Sequence, residues 1–90
     1  MKTYMLATKT PLIIVGQLYL HPQLDEYVIV TNNNRGHISY EGGGFKGQAE
    51  SETFIERFGP VDPADVSEDE LKTLLSYCPT GTRPLVGFIS

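Results

Sequence analysis

Apolar positions alternate along the first half of the chain and recur at helical spacing only in its last third. Leu12 to Leu20 places Leu12, Ile14, Leu18 and Leu20 on one parity and Ile13, Val15 and Tyr19 on the other, the pattern of a strand buried on both faces. Gly16 falls inside this run, where a missing side chain favours a bulge or a sharp bend. Lys2 to Ala7 is a shorter extended candidate. His21-Pro22-Gln23 ends the long run, because proline cannot donate to a ladder. Tyr27 to Thr31 then resumes with β-branched and aromatic residues, and the two runs are expected to pair as a hairpin. Asn32 to Gly36 reads as the next turn, since Asn and Gly tolerate positive φ, and His37 to Tyr40 as the return strand. Gly42-Gly43-Gly44 breaks the pattern before a further short strand over Phe45 to Glu50.

Signals conflict over Ser51 to Phe58. Phe54, Ile55 and Phe58 fit a helical turn, whereas Phe54 and Phe58 would also share a strand face, and a helical turn is the favoured reading. The C-terminal third holds the strongest helix pattern. Ser67 and Glu70 have capping-box spacing, Val66 and Leu71 occupy hydrophobic-staple positions, and Leu71, Leu74, Leu75 and Cys78 form one apolar stripe that Pro79 closes. A helix over Ser67 to Cys78 follows. Leu85 to Ile89 is a last apolar segment, suited to a sheet edge or a tail. These elements predict an α+β, mostly β fold in one domain over residues 1–90: a small SH3-like antiparallel barrel, or a strongly bent meander of about five strands, with one C-terminal helix.

At 90 residues, 40% hydrophobic and 20% charged, the composition is that of a folded domain with a thin core. The lone cysteine, Cys78, precludes an intrachain disulfide and points to a reducing, cytoplasmic setting. The first residues lack the apolar core of a signal peptide, and the run Leu12 to Val15 is far too short to span a bilayer, so no membrane association is expected. The net charge of −4 is uneven: residues 1–48 carry +1 and residues 49–90 carry −5. An acidic half repels phosphate and disfavours nucleic acid as a partner. It suits either a surface that keeps a small domain in solution or a face that docks on a basic protein surface.

No constellation carries an evident chemistry. The glycines before Phe45-Lys46-Gly47 lack the G-x-x-x-x-G-K-[ST] order of a phosphate loop. His21, His37 and Cys78 contain no closely spaced ligand pair, so no metal or other cofactor is implied. Cys78 lies on the helix stripe and reads as a small apolar residue rather than a nucleophile. The carboxylates are numerous, but a domain this small has little room for a desolvated catalytic pair, and Glu68, Asp69 and Glu70 suit the first turn of a helix. An enzyme is therefore not the expected reading. Tyr19, Tyr27 and Tyr40 fall on three candidate strands. Filling the core accounts for them simply, yet phenols can also form a stacking or peptide-binding surface, completed by Arg35 and His37 with Lys46 nearby. The acids Asp62, Asp65, Glu68 and Asp69 are the candidates for a second, acidic binding face.

Gly36-His37-Ile38-Ser39-Tyr40 and the block Phe54-Ile55-Glu56-Arg57-Phe58-Gly59-Pro60-Val61 resemble small uncharacterised phage and prophage proteins, in which a tight meander precedes a motif like F-x-x-R-F-x-P-V. The resemblance covers roughly residues 12–61 and implies an SH3-like or Tudor-like barrel that binds partners, with no functional residues to carry over. The helix Ser67 to Cys78 has no counterpart in it. The expected function is a non-enzymatic protein-binding module, in concrete form a phage-encoded accessory protein that inhibits or modulates a host protein or protein complex in the host cytoplasm. The alternatives are a nucleic-acid-binding small barrel and a structural virion or oligomer-forming component. In the last of these, the segment Leu85 to Ile89 would pair between copies, and a thin core is compatible with a homodimer.

Overall fold

Two tight hairpins organise the sheet. In the computed structural model, which describes residues 13–86, strands β1 (Leu18–Leu20), β2 (Tyr27–Asn34), β3 (His37–Gly42) and β4 (Phe45–Glu50) follow one another as an antiparallel meander. Helix α1 (Ser51–Arg57) then leads to β5 (Gly59–Val61), and a 3-10 turn (Pro63–Asp65) precedes helix α2 (Glu68–Leu75). The strand order is β4-β3-β2-β1-β5, with β5 antiparallel to β1. The fold is thus mostly β, with a five-stranded antiparallel sheet and two short helices. The sheet is not closed into a barrel, because β4 and β5 lie at its opposite edges.

Several expected elements change in detail. The long strand over Leu12 to Leu20 is broken. The chain turns at Val15-Gly16, Gln17 N–H donates to the Ile14 carbonyl at 3.2 Å, and regular pairing starts at Leu18. Gly16 holds φ +100°, and a Cβ there would lie 2.5 Å from the Arg83 carbonyl oxygen, so the bend depends on glycine. The turn expected over Asn32 to Gly36 is narrower, because β2 runs on through Asn34. Only Arg35 and Gly36 reverse the chain, at φ 53° and 89°, the two positive values that a type I′ hairpin requires. A register shift between Val30 and Asn32 moves Asn33 onto the side of Ile38, and its side chain donates to the Ile13 carbonyl at 2.7 Å.

Helix α1 confirms the helical reading of Ser51 to Phe58. Helix α2 is shorter than Ser67 to Cys78: Ser67 is its N-cap, accepting from Glu70 N–H at 3.3 Å, and helical geometry ends at Leu75, with Tyr77 and Cys78 in the turns beyond. Strand β5 was missed, since Gly59-Pro60-Val61 has low strand propensity and pairs only because β1 offers an edge. Leu85 bridges Gln17 in parallel. The remainder of the Leu85 to Ile89 segment after Val86, and the candidate strand Lys2 to Ala7, lie outside the described residues.

Strand alternation sorts the core into two clusters. Tyr19, Val28, Val30 and Ile38 face α1 with Phe54 and Phe58. Leu18, Leu20, Tyr27, Ile29 and Val61 face α2 with Val66 and Leu74. Phe54 is fully buried, 4.6 Å edge-to-face from Tyr19 and 4.3 Å stacked on Phe58. On the β3–β4 ladder, the Phe45 ring covers Gly42 and the Tyr40 ring covers Gly47, each across the directly opposite pair. A Cβ would meet the Phe45 ring at 2.5 Å from Gly42 and the Tyr40 hydroxyl at 2.5 Å from Gly47, so the glycines are part of the packing and not only of the turn. Substituting Gly16→Ala combines left-handed strain with a backbone clash. It is expected to cost roughly 2–4 kcal/mol, lowering the thermal midpoint by at least about 10 °C in a domain of this size, as read by circular dichroism.

Candidate functional site

Among the described residues, a concave region lies between the end of β1, strands β3 and β4, and α1. Tyr40 and Phe58 form its floor, their rings 4.9 Å apart, and His21 stands at its wall, 5.1 Å from Phe58 and 6.0 Å from Tyr40. Thr53 and Arg57 form the rim of this groove of about 220 Å³, and β4 runs along it at Gln48 and Ala49. Thr53 and Arg57 are exposed on α1. They lie four residues apart, hence on one helix face. The geometry is an aromatic floor with a polar, cationic rim.

His21 is fixed by the turn after β1. Its Nδ1 accepts from Gln23 N–H at 3.1 Å and from Leu24 N–H at 3.2 Å, so in the neutral ring the proton sits on Nε2. Burial lowers its pKa below the ordinary value, and the ring is neutral at pH 7. Burial likewise raises the Cys78 thiol, reinforced by the Glu41 carboxylate, and its S–H points to the Val30 carbonyl at 3.6 Å. Cys78 is thus held as a thiol against the sheet, without the activation that a nucleophile needs.

The expected site residues do not converge. Tyr19 is 1% exposed and Tyr27 is 7% exposed, so both belong to the core and not to a binding face. The Tyr19 hydroxyl donates to Gln17 Oε1 at 3.1 Å, and its burial raises the phenol pKa. The Tyr27 hydroxyl donates to the Asp65 carbonyl at 3.4 Å. Of the three tyrosines, Tyr40 alone reaches the groove, half-buried at its floor. Arg35 is exposed in the β2–β3 turn. His37 begins β3 on the opposite face from Tyr40, its Nδ1 3.0 Å from Glu50 Oε1.

Asp62, Asp65, Glu68 and Asp69 lie past the other edge of the sheet, where local structure accounts for them. Asp62 Oδ1 accepts from Ala64 N–H at 2.9 Å, and Glu68 and Asp69 open α2 with Ser67 as cap. Glu68 also stands 3.8 Å from Lys72, with both side chains well exposed, a pair that contributes little. The groove side chains that the sequence reading did not place there are His21, Thr53 and Arg57. The i, i+4 spacing of Thr53 and Arg57 beside Phe54 and Phe58 was their only signal.

The other side of the β3–β4 ladder carries Ser39, Glu41, Lys46 and Gln48 with Thr31 and Tyr77 at its margins, in shallow depressions of about 300 and 330 Å³. This surface is polar and open. Among the described residues, no three His, Cys, Asp or Glu side chains are grouped to hold a metal ion, and no helix is long and apolar enough to cross a membrane. No family model, curated protein or solved structure matches the chain.

The His21 environment sets a pH dependence. Because the folded pKa lies below the unfolded value of about 6.5, the unfolded chain takes up a proton first as pH falls. Stability present above about pH 6.5 is therefore lost as pH drops from there toward the folded pKa. His21→Asn retains an acceptor for the turn and removes the titration. Urea denaturation at pH 7 and pH 5 is expected to show a smaller loss of stability in His21→Asn than in the native chain.

Proposed function

We infer that this chain is a non-enzymatic protein-binding module whose docking site is the groove between β1, β3, β4 and α1. The observation that carries this reading is the size and chemistry of the groove. At about 220 Å³ it lies below the range of small-molecule sites, roughly 300–1,000 Å³, and suits one large side chain of a partner. Its Tyr floor and Arg rim match the residue types that dominate protein interfaces, where a central anchor sits in a pocket and polar groups exclude water around it. Arg57 at the rim favours an acidic group beside the anchor.

A phage-encoded accessory protein that modulates a host factor in the host cytoplasm is the concrete form of this reading. The small size and the net charge of −4 support it, since an acidic surface competes poorly for nucleic acid and well for proteins.

Tagged chain is to be incubated with host lysate, with and without nuclease, and the captured proteins identified by mass spectrometry. A nuclease-resistant partner is expected. Its affinity should fall at least about ten-fold with Arg57→Glu and with Thr53→Arg, two exposed rim positions that leave the core untouched, as measured by titration calorimetry with the purified partner. Recovery of nucleic acid, or a partner indifferent to both substitutions, would overturn the assignment.

A further inference from the structure

We propose that the outer edge of β4 is a self-complementary docking edge through which two copies of this chain form a two-fold symmetric dimer with one continuous antiparallel sheet. Among the described residues, no strand pairs with that edge. The directions of its backbone groups follow from the hairpin. Gly42 and Phe45 flank a two-residue turn and form a narrow, hydrogen-bonded pair. The pairing then alternates, which leaves Glu41↔Lys46, Ser39↔Gln48 and His37↔Glu50 as wide pairs. The bond from Ser51 N–H to the Gly36 carbonyl at 2.8 Å fixes the same phase from the other end. Lys46, Gln48 and Glu50 therefore aim their backbone groups outward, except that the Glu50 carbonyl, at the N-cap of α1, serves the helix.

The side chains of these three residues are exposed and share the face opposite the groove floor. Their order, Lys46-x-Gln48-x-Glu50, reverses its charge under a two-fold axis. With Gln48 opposite Gln48 of the second copy, Lys46 meets Glu50 of the second copy on both sides of the axis. Each Gln48 then exchanges N–H and C=O bonds with its mate, and each Glu50 N–H reaches the Lys46 carbonyl of the other copy. On the other face, Gly47 lies opposite Ala49, two small residues that let the strands approach. The Gly43-Gly44 turn, with open space around both glycines, passes the start of α1 in the second copy. Slipping the register by two residues sets Lys46 opposite Gln48 and loses both ion pairs. Charges normally blunt an edge strand against its own copies. Here their spacing does the opposite, because opposite charges face each other across the pair. Glu50 already holds His37, which orders the carboxylate without neutralising Lys46.

The full chain is to be followed by sedimentation equilibrium over a range of concentrations. A reversible dimer is expected. Lys46→Glu and Glu50→Lys each place like charges opposite one another twice per dimer and should weaken dimerisation about ten-fold or more. The double variant Lys46→Glu/Glu50→Lys restores opposite charges at both places and should recover the native dimer, which also separates a lost interface from a lost fold. Gln48→Pro removes an outward N–H, leaves the β3–β4 ladder intact and should yield a monomer. A chain that stays monomeric at all concentrations would overturn the proposal, as when slow hydrogen exchange at Lys46 and Gln48 in the monomer shows the edge covered by the chain itself. A dimer indifferent to these substitutions would overturn it equally.

Discussion

Burial of the β1–β2 hairpin on both faces is the constraint from which the rest of the architecture follows. Tyr19, Val28 and Val30 point one way and Leu18, Leu20, Tyr27 and Ile29 the other, so neither face can be left to water. Each face needs a cover, and the chain supplies one helix to each. Phe54 and Phe58 bring α1 onto the first, while Val66 and Leu74 bring the α2 segment onto the second. Truncating an aromatic as enclosed as Phe54 costs about 3–5 kcal/mol, comparable with the whole stability of a small domain. Closure of the two faces is therefore cooperative: the hairpin has no stable form without the helices, and helices of seven and eight residues are too short to persist without the hairpin.

The sequence disclosed the parts of this scheme that rest on local chemistry. Two-sided apolar runs marked the central strands, Phe45 to Glu50 had the right bounds, and Ser67 with Glu70 placed the start of α2 within a residue. What escaped was decided by tertiary contact. Asn32 to Asn34 have turn-forming side chains, yet they are strand because β3 pairs with them and only Arg35-Gly36 must reverse the chain. Gly59-Pro60-Val61 carries no strand signal, and it pairs because β1 would otherwise expose its second edge beside a buried core. The glycines around Phe45 read as turn chemistry, which holds for Gly43 and Gly44. Gly42 and Gly47 instead serve as floors for the Phe45 and Tyr40 rings, a role that depends on cross-strand register and leaves no trace in composition.

The site was less legible than the fold for a related reason. Three tyrosines on three strands have the same appearance in sequence, and parity alone does not say which side of a two-sided sheet is deep. Tyr19 and Tyr27 are buried beneath the elements that cover β1 and β2, whereas Tyr40 on β3 is half-buried at the margin of α1. The reach of the covering helices, not residue type, separates core from surface here. On a strand Thr53 and Arg57 would lie on the face opposite Phe54 and Phe58, and only the helical reading of Ser51 to Phe58 sets them beside these aromatic rings.

The placement of exposed chemistry follows from the reach of the two covers. A helix of seven or eight residues is ~12 Å long, whereas five strands at ~4.8 Å spacing span roughly 19 Å between the outermost backbones. Neither helix can cover the whole width. Helix α2 packs over β1, β2 and β5, so the same face of β3 and β4 stays polar, with Ser39, Glu41, Lys46 and Gln48 in place of the Leu and Ile of the covered half. On the other face, α1 starts directly from the end of β4 and leaves the groove beside Tyr40 as the margin of its cover. Both the groove and the edge of β4 that is unpaired among the described residues thus lie where short helices run out of length. The acids of residues 62–70 collect past the opposite edge, where β5 gives way to α2 and each has a local partner or a helix start to serve. The charge asymmetry read from the sequence is thus only partly a spatial one, because Glu50, Glu52 and Glu56 lie on β4 and α1 at the other end of the sheet.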